Sequence, residues 1–220
     1  MSLFRLDASI RVEGSASRAI ADIVEREWRA GNPDAPVTRR HVGTEPLPAT
    51  AWGEAVSGSY LPADQRTPAQ TDALALAATL ADELADAEAL LFAVPLYNFG
   101  ISQHVKTYVD MVITDPRFGP RAEAPTVGKP AVLVTVRGGN YSAGTPREGW
   151  DHATGWMRRI LADVWQLDVS VVESEFTLVG VNPALDQFTD LARGLREQAE
   201  ADARAHGRTL AAGRVARAAA

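Results

Sequence analysis

The chain has 220 residues, a formal net charge of −6 and 46% hydrophobic residues. That is apolar material for one sizeable core, expected as a single domain over residues 1–220, and the acidic balance argues against nucleic acid as a partner, because phosphates need a basic face. The absence of cysteine excludes disulfides, thiol catalysis and thiolate metal sites, and no secretory signal or apolar run of membrane-spanning length is legible, so the expectation is a cytoplasmic protein without a membrane partner.

Leu3–Ala8 reads as the first strand. The loop after it is rich in hydroxyls (Ser9, Ser15, Ser17) and leads into a helix with Ala16, Ile20, Ile23, Val24 and Trp28 on one face. A helix start offers free amide donors and the positive end of its dipole, which suits a phosphate. The turn carries neither GxxxxGK[ST] nor GxGxxG, so nothing marks it for a nucleoside triphosphate or a dinucleotide. Read alone, Ser15 or Ser17 serves equally well as a plain helix cap.

Pro36–Val42 is a short, charged strand suited to an edge, and Thr44–Pro68 is a Pro-, Gly- and Ala-containing insertion around Trp52 and Tyr60 with room for one short helix. Ala69–Asp86 is amphipathic at helical spacing. Ala89–Val94 is a continuous apolar run, the pattern of a strand buried on both faces of a parallel sheet. Pro95-Leu96-Tyr97-Asn98-Phe99-Gly100 follows, with Gly100 supplying either a tight bend or room for close approach by a ligand, Ser102 as a cap, and a helix carrying Val105, Tyr108, Val109 and Val112.

Ile113–Gly128 is a long connection holding Phe118. Ala131–Val136 is another buried strand, ending in Arg137-Gly138-Gly139-Asn140-Tyr141, with Arg137 read as a surface charge. A helix around Asp151–Val164, a last strand Val169–Phe176 and a charged helix Leu185–Arg217 complete the pattern. No two of the histidines show metal-ligand spacing beside an acid, so no metal is expected. Five strands alternating with helices imply an α/β, doubly wound parallel sheet. Order 2-1-3-4-5 brings the serine turn and the Pro95–Gly100 loop to one crevice at the switch point between strands one and three.

Three pieces in order, the serine turn, Pro95–Gly100 with Lys106-Thr107-Tyr108-Val109-Asp110 behind it, and Thr135-Val136-Arg137-Gly138-Gly139, resemble FMN-dependent NAD(P)H oxidoreductases of the azoreductase and quinone-reductase kind. The resemblance extends over nearly the whole chain. It implies a flavodoxin-like fold, FMN as cofactor, NADH or NADPH as donor, and a quinone or azo compound as acceptor in a ping-pong cycle. It implies that Ser9, Ser15, Ala16 and Ser17 hold the FMN phosphate. Pro95, Leu96 and Tyr97 line the ribityl chain, Asn98 and Phe99 meet the ring, and Gly138 and Gly139 bring amides to its pyrimidine side. No side chain is catalytic, because the chemistry is the cofactor's. The resemblance further implies a homodimer with the pocket at the interface, Phe118 covering the partner's flavin, and Asn140 and Tyr141 shaping the substrate pocket. An electron-carrying flavodoxin, a specialised biosynthetic flavin reductase or dehydrogenase, and a flavin-free binding relative remain alternatives on the same fold.

Overall fold

The computed structural model describes residues 1–119 and 122–213. Strand β1 is Leu3–Asp7, helix α1 Ala16–Gly31, β2 Val37–His41, α2 Ala51–Ser59, α3 Pro68–Asp86, β3 Ala89–Pro95, α4 Gln103–Thr114, β4 Pro130–Val136, α5 Thr154–Arg158, β5 Asp168–Ser174 and α6 Thr189–Ala212. Short 3-10 turns stand at Ala63–Gln65, Pro116–Phe118 and Pro183–Phe188. The sheet is five-stranded and parallel in the order β2-β1-β3-β4-β5, as the sequence implies. The anticipated insertion holds α2 and one 3-10 turn. Helix α5 widens into a π turn over Arg159–Val164, closed by the Trp165 amide on the Ile160 carbonyl at 2.8 Å. Of the last helix, the stretch expected to reach Arg217 lies outside the described residues beyond 213.

Alternation along β3 explains the layering, because successive side chains of a strand point to opposite faces. Leu90, Phe92 and Val94 enter one cluster with α2, α3, α4 and α5. Ala89, Leu91 and Ala93 enter the other with α1 and α6. The chain leaves β1 along one face and β3 along the other, so their C-terminal loops diverge and leave a crevice between them.

A charged cluster lies inside this frame. Arg5, in the middle of β1, is only 1% exposed. Its guanidinium donates to Asp7 at 3.1 Å, Asp22 at 2.7 Å and Glu25 at 2.9 Å. Glu25 also accepts from Arg29 at 2.8 Å and from Arg39. Burial alone would raise the Glu25 carboxyl, but Arg29, Arg39 and Arg5 hold it below the usual value.

Replacing Arg5 with Met leaves the buried Asp7 carboxylate without its cation and strips one partner from Glu25, and urea denaturation is expected to show a loss of about 3 kcal/mol. Because the folded Glu25 holds protons less tightly than the unfolded chain, its contribution is full at neutral pH and is lost as pH falls through the carboxylate range. The wild-type urea midpoint is expected to stay level from about pH 7 to 5 and to drop below about pH 4.

Candidate functional site

The serine turn is built by its neighbours. Ser9, Ser15 and Ser17 are all buried. The Ser15 hydroxyl caps α1 by accepting from the Arg18 amide at 3.3 Å and lies 3.3 Å from the Ser17 hydroxyl. Capping and ligand binding therefore coexist in one residue, since the Ala16 and Ser17 amides still open the helix without intrahelical partners. Behind the turn stands Gly43. A Cβ there would lie 2.2 Å from the Ser9 carbonyl oxygen, so only glycine lets the chain after β2 pass this close.

The Pro95–Gly100 loop meets the turn through Tyr97. Its hydroxyl accepts from the Ile10 amide at 3.1 Å and lies 3.4 Å from the Ser9 hydroxyl. Beyond Tyr97 the chain reverses in two residues, with the Tyr97 and Gly100 amides each donating to the other's carbonyl at 2.9 Å. The positive φ angles fall on Asn98 (47°) and Phe99 (69°), not on Gly100. This corrects the reading in which Gly100 supplies the bend: the geometry is a primed hairpin turn, which needs positive φ at both central positions. Asn tolerates that region, but Phe is strained there at a cost of order 1 kcal/mol, and such outliers concentrate at functional sites.

Phe99 is 40% exposed and sits edge-on to Trp150 at 5.5 Å and to Tyr141 at 6.5 Å. The Arg147 guanidinium covers Tyr141 at 5.8 Å. The three rings form an exposed aromatic shelf. Trp150 was not singled out from the sequence; its only signal was an aromatic in a Gly- and Pro-containing stretch after a strand end.

Arg137 corrects the reading of it as a surface charge. It is 7% exposed, and it holds both ends of the loop that carries the shelf. At the far end it donates to Asp151 at 2.6 Å. At the near end it donates to Glu175 at 3.3 Å, and Glu175 accepts from the Tyr141 amide at 3.0 Å and the Ser142 hydroxyl at 2.8 Å. Thr154 and Glu173 take its remaining hydrogens. Burial would raise the Asp151 carboxyl, but the Thr154 amide and hydroxyl and Arg137 keep it below its ordinary value.

Gly138 and Gly139 are backed by the chain after β5. The Leu178 amide donates to the Gly138 carbonyl at 3.3 Å and the Phe176 amide to that of Gly139 at 3.2 Å. A Cβ on Gly138 would lie 2.6 Å from Leu178 Cδ1. Asn140 turns inward on its own loop, its side-chain oxygen accepting from the Ser142 amide at 2.8 Å.

Ser9, Ser15, Ala16, Ser17, Pro95, Leu96, Tyr97 and Gly138 line one cleft of about 140 Å³. Arg11, Val136, Thr177 and Leu178 complete it and were missed in the sequence, although Thr177 and Leu178 stand just past a strand end. The lining offers hydroxyls, an arginine and no carboxylate. That donor set fits a phosphate monoester, and the volume fits the head of a ligand rather than a whole one.

The Flavodoxin_2 family model, described as a flavodoxin-like fold, matches residues 1–199. The chain belongs to this family. A relative from Frankia alni named FMN-dependent NADH:quinone oxidoreductase is 38% identical over 206 residues, covering 93% of this chain and 97% of that one. One of the same name from Streptomyces avermitilis is 32% identical over 211 residues, covering 96% and 97%. The structure of an azoreductase from Bacillus anthracis superposes with a TM-score of 0.77 at 21% identity, covering 95% of this chain and 100% of that one, a likeness of fold.

Phe118 does not join the site of this flavodoxin-like chain. It is 1% exposed in its own core, edge-on to Trp165 at 5.8 Å, because Asp115 caps the 3-10 turn Pro116–Phe118 and folds the ring inward. Residues 120–121 of the same connection lie outside the described residues.

Arg137→Met is expected to unfasten both ends of the 140–151 loop. Hydrogen exchange at the Tyr141 and Thr154 amides would rise by at least about tenfold, while amides of β3 keep their protection.

Proposed function

We propose that the chain is an FMN-dependent NADH oxidoreductase that reduces quinones or azo compounds by two electrons. The observation that carries this reading is the carboxylate-free hydroxyl and amide cradle at the start of α1, joined through Tyr97 to the loop after β3. The relatives' names agree with it. When bound, FMN supplies the redox chemistry, accepting hydride from NADH and delivering two electrons to the acceptor.

This chain's residues bind and orient. Ser9, Ser15 and Ser17, with the Ala16 amide, would hold the phosphate, and Arg11 adds a positive charge at the rim. Pro95, Leu96 and Tyr97 would line the ribityl chain. Asn98 and Phe99 would meet the ring on one side, and Gly138 and Gly139 on the other, braced by Phe176 and Leu178. Fixed amide donors at the pyrimidine edge would favour the reduced, more negative form.

The shelf of Phe99, Tyr141 and Trp150 supports a flat aromatic acceptor, because stacked and edge-on rings give area with little loss of side-chain freedom. It also favours a small acceptor over a protein redox partner. Tyr141 and Asn140 belong to the wall of this pocket in our reading. Residues 1–220 are taken as one domain, and two copies would form a homodimer. Trp52 and Tyr60, 46% and 82% exposed, supply apolar surface that supports self-association. Among the described residues no helix is long and apolar enough to cross a membrane, and a pyridine-nucleotide donor is in keeping with the cytoplasm.

Purified protein reconstituted with FMN is expected to show flavin absorption bands that bleach with NADH under nitrogen; failure to bind flavin on reconstitution would overturn the assignment. Ser17→Asp, which puts a carboxylate among the donors, should weaken FMN by at least about tenfold in a fluorescence-quenching titration. Trp150→Ala should raise KM for a quinone severalfold with FMN affinity unchanged.

A further inference from the structure

A second cleft, of about 690 Å³, adjoins the phosphate cradle. It lies between the first turns of α1 and α6, under the chain that follows β5. Its cause is legible in α6. The buried residues of that helix are Ala199, Ala203, Gly207 and Leu210, and none precedes Ala199. From Ala199 onward the helix packs on α1; before it the two helices part, and Ile20, Ile23 and Phe176 are left flooring a gap.

The gap is apolar below and cationic at one end. Its three lining carboxylates are each engaged by an arginine: Asp22 by Arg5 at 2.7 Å, Glu175 by Arg137 at 3.3 Å, and Glu200 by Arg196 at 3.1 Å. Arg11 and Arg18 line the same gap, and among the described residues neither has a carboxylate within 4.0 Å. Arg18 is half-buried at the cleft wall, where it meets the His41 Nε2 at 2.6 Å and donates to the Arg11 carbonyl. A half-buried guanidinium held by a ring nitrogen and a backbone carbonyl, with no carboxylate beside it, is a group whose charge an anion compensates.

We propose that this cleft is a second binding site, for a small organic anion that carries one anionic group on a flat or branched apolar body. The anionic group meets Arg18, and the body lies on Ile20, Ile23 and Phe176. The volume falls in the range of ordinary small-molecule pockets. Arg11, Ser15, Ala16 and Thr177 wall both clefts, so the two sites adjoin, but the apolar floor belongs to the larger one alone. The inference does not depend on the flavin reading, because its walls, charges and floor are this chain's own.

The test is isothermal titration of FMN-loaded protein with sodium 2-naphthalenesulfonate, with neutral 2-naphthol as the comparison. The expected result is saturable sulfonate binding, about tenfold weaker for 2-naphthol and about tenfold weaker in Arg18→Ala. Ala192→Trp, which fills the cleft from α6, should abolish it while the flavin spectrum is unchanged. Val181→Glu, on the exposed chain after β5, sets a carboxylate beside the anion and should weaken it too, with no demand on the core. Absence of saturable binding, equal binding in Ala192→Trp and Val181→Glu, or displacement of the sulfonate by added FMN would each overturn the proposal.

Discussion

Strand β3 is buried on both faces along its whole length, and that constraint organises the molecule. A strand covered on both sides has side chains only for packing and backbone groups only for its two neighbours. Chemistry is displaced to its C-terminal end, where the Leu96 amide donates to the Val136 carbonyl at 2.9 Å just past Pro95 and the chain must then turn. Because β1 lies beside β3 and their connections leave along opposite faces, the serine turn and the Pro95–Gly100 loop reach the same crevice without any special contact being needed. Tyr97 then converts proximity into a joint, by hydrogen bonding across the gap.

Arginine does the structural work that cysteine or metal does in other chains. Arg5 neutralises carboxylates from β1 and α1 beneath the sheet, and Arg137 ties the loop after β4 to Glu175 beyond β5 and to Asp151 ahead of α5. Both are buried with more than one carboxylate, so each is costly to interrupt and each makes its geometry hard to replace by packing alone. The planar fork of the side chain is what allows one residue to hold two ends of a loop. Arg18 differs from both, since its partners are a ring nitrogen and a backbone carbonyl, not carboxylates.

The position of the aromatic shelf follows from that clamp. Tyr141 is fixed through its amide, not its ring, and Trp150 stands immediately before the clamped Asp151. The Trp150 ring stays exposed and that of Tyr141 half-exposed while their backbones are held. Phe99 completes the group from the strained turn on the other side of the crevice. Rigid backbone with exposed rings suits recognition of flat molecules, because little conformational freedom remains to be lost on binding.

Much of this was legible in the residues themselves. Apolar runs at β3 and β4, helical spacing in α1, α3 and α4, and hydroxyl- or glycine-rich strand ends are local patterns. Local patterns set element type, sheet class and the end of the sheet where a ligand lies. Only the tertiary structure decided the rest. Arg137 carries nothing in its neighbourhood along the chain that marks it as buried, since its partners Glu173 and Glu175 arrive from β5 and beyond. Phe118 sits in a long connection, and only the fold shows its ring turned into the core beside Trp165. The positive φ at Asn98 and Phe99 rather than at Gly100 is set by reciprocal hydrogen bonds that no composition reveals. The α1–α6 cleft arises where two helices distant in sequence part. Sequence pattern reports what a residue does within its own element; charge pairing, ring orientation and empty space depend on elements far apart along the chain, and only packing brings those together.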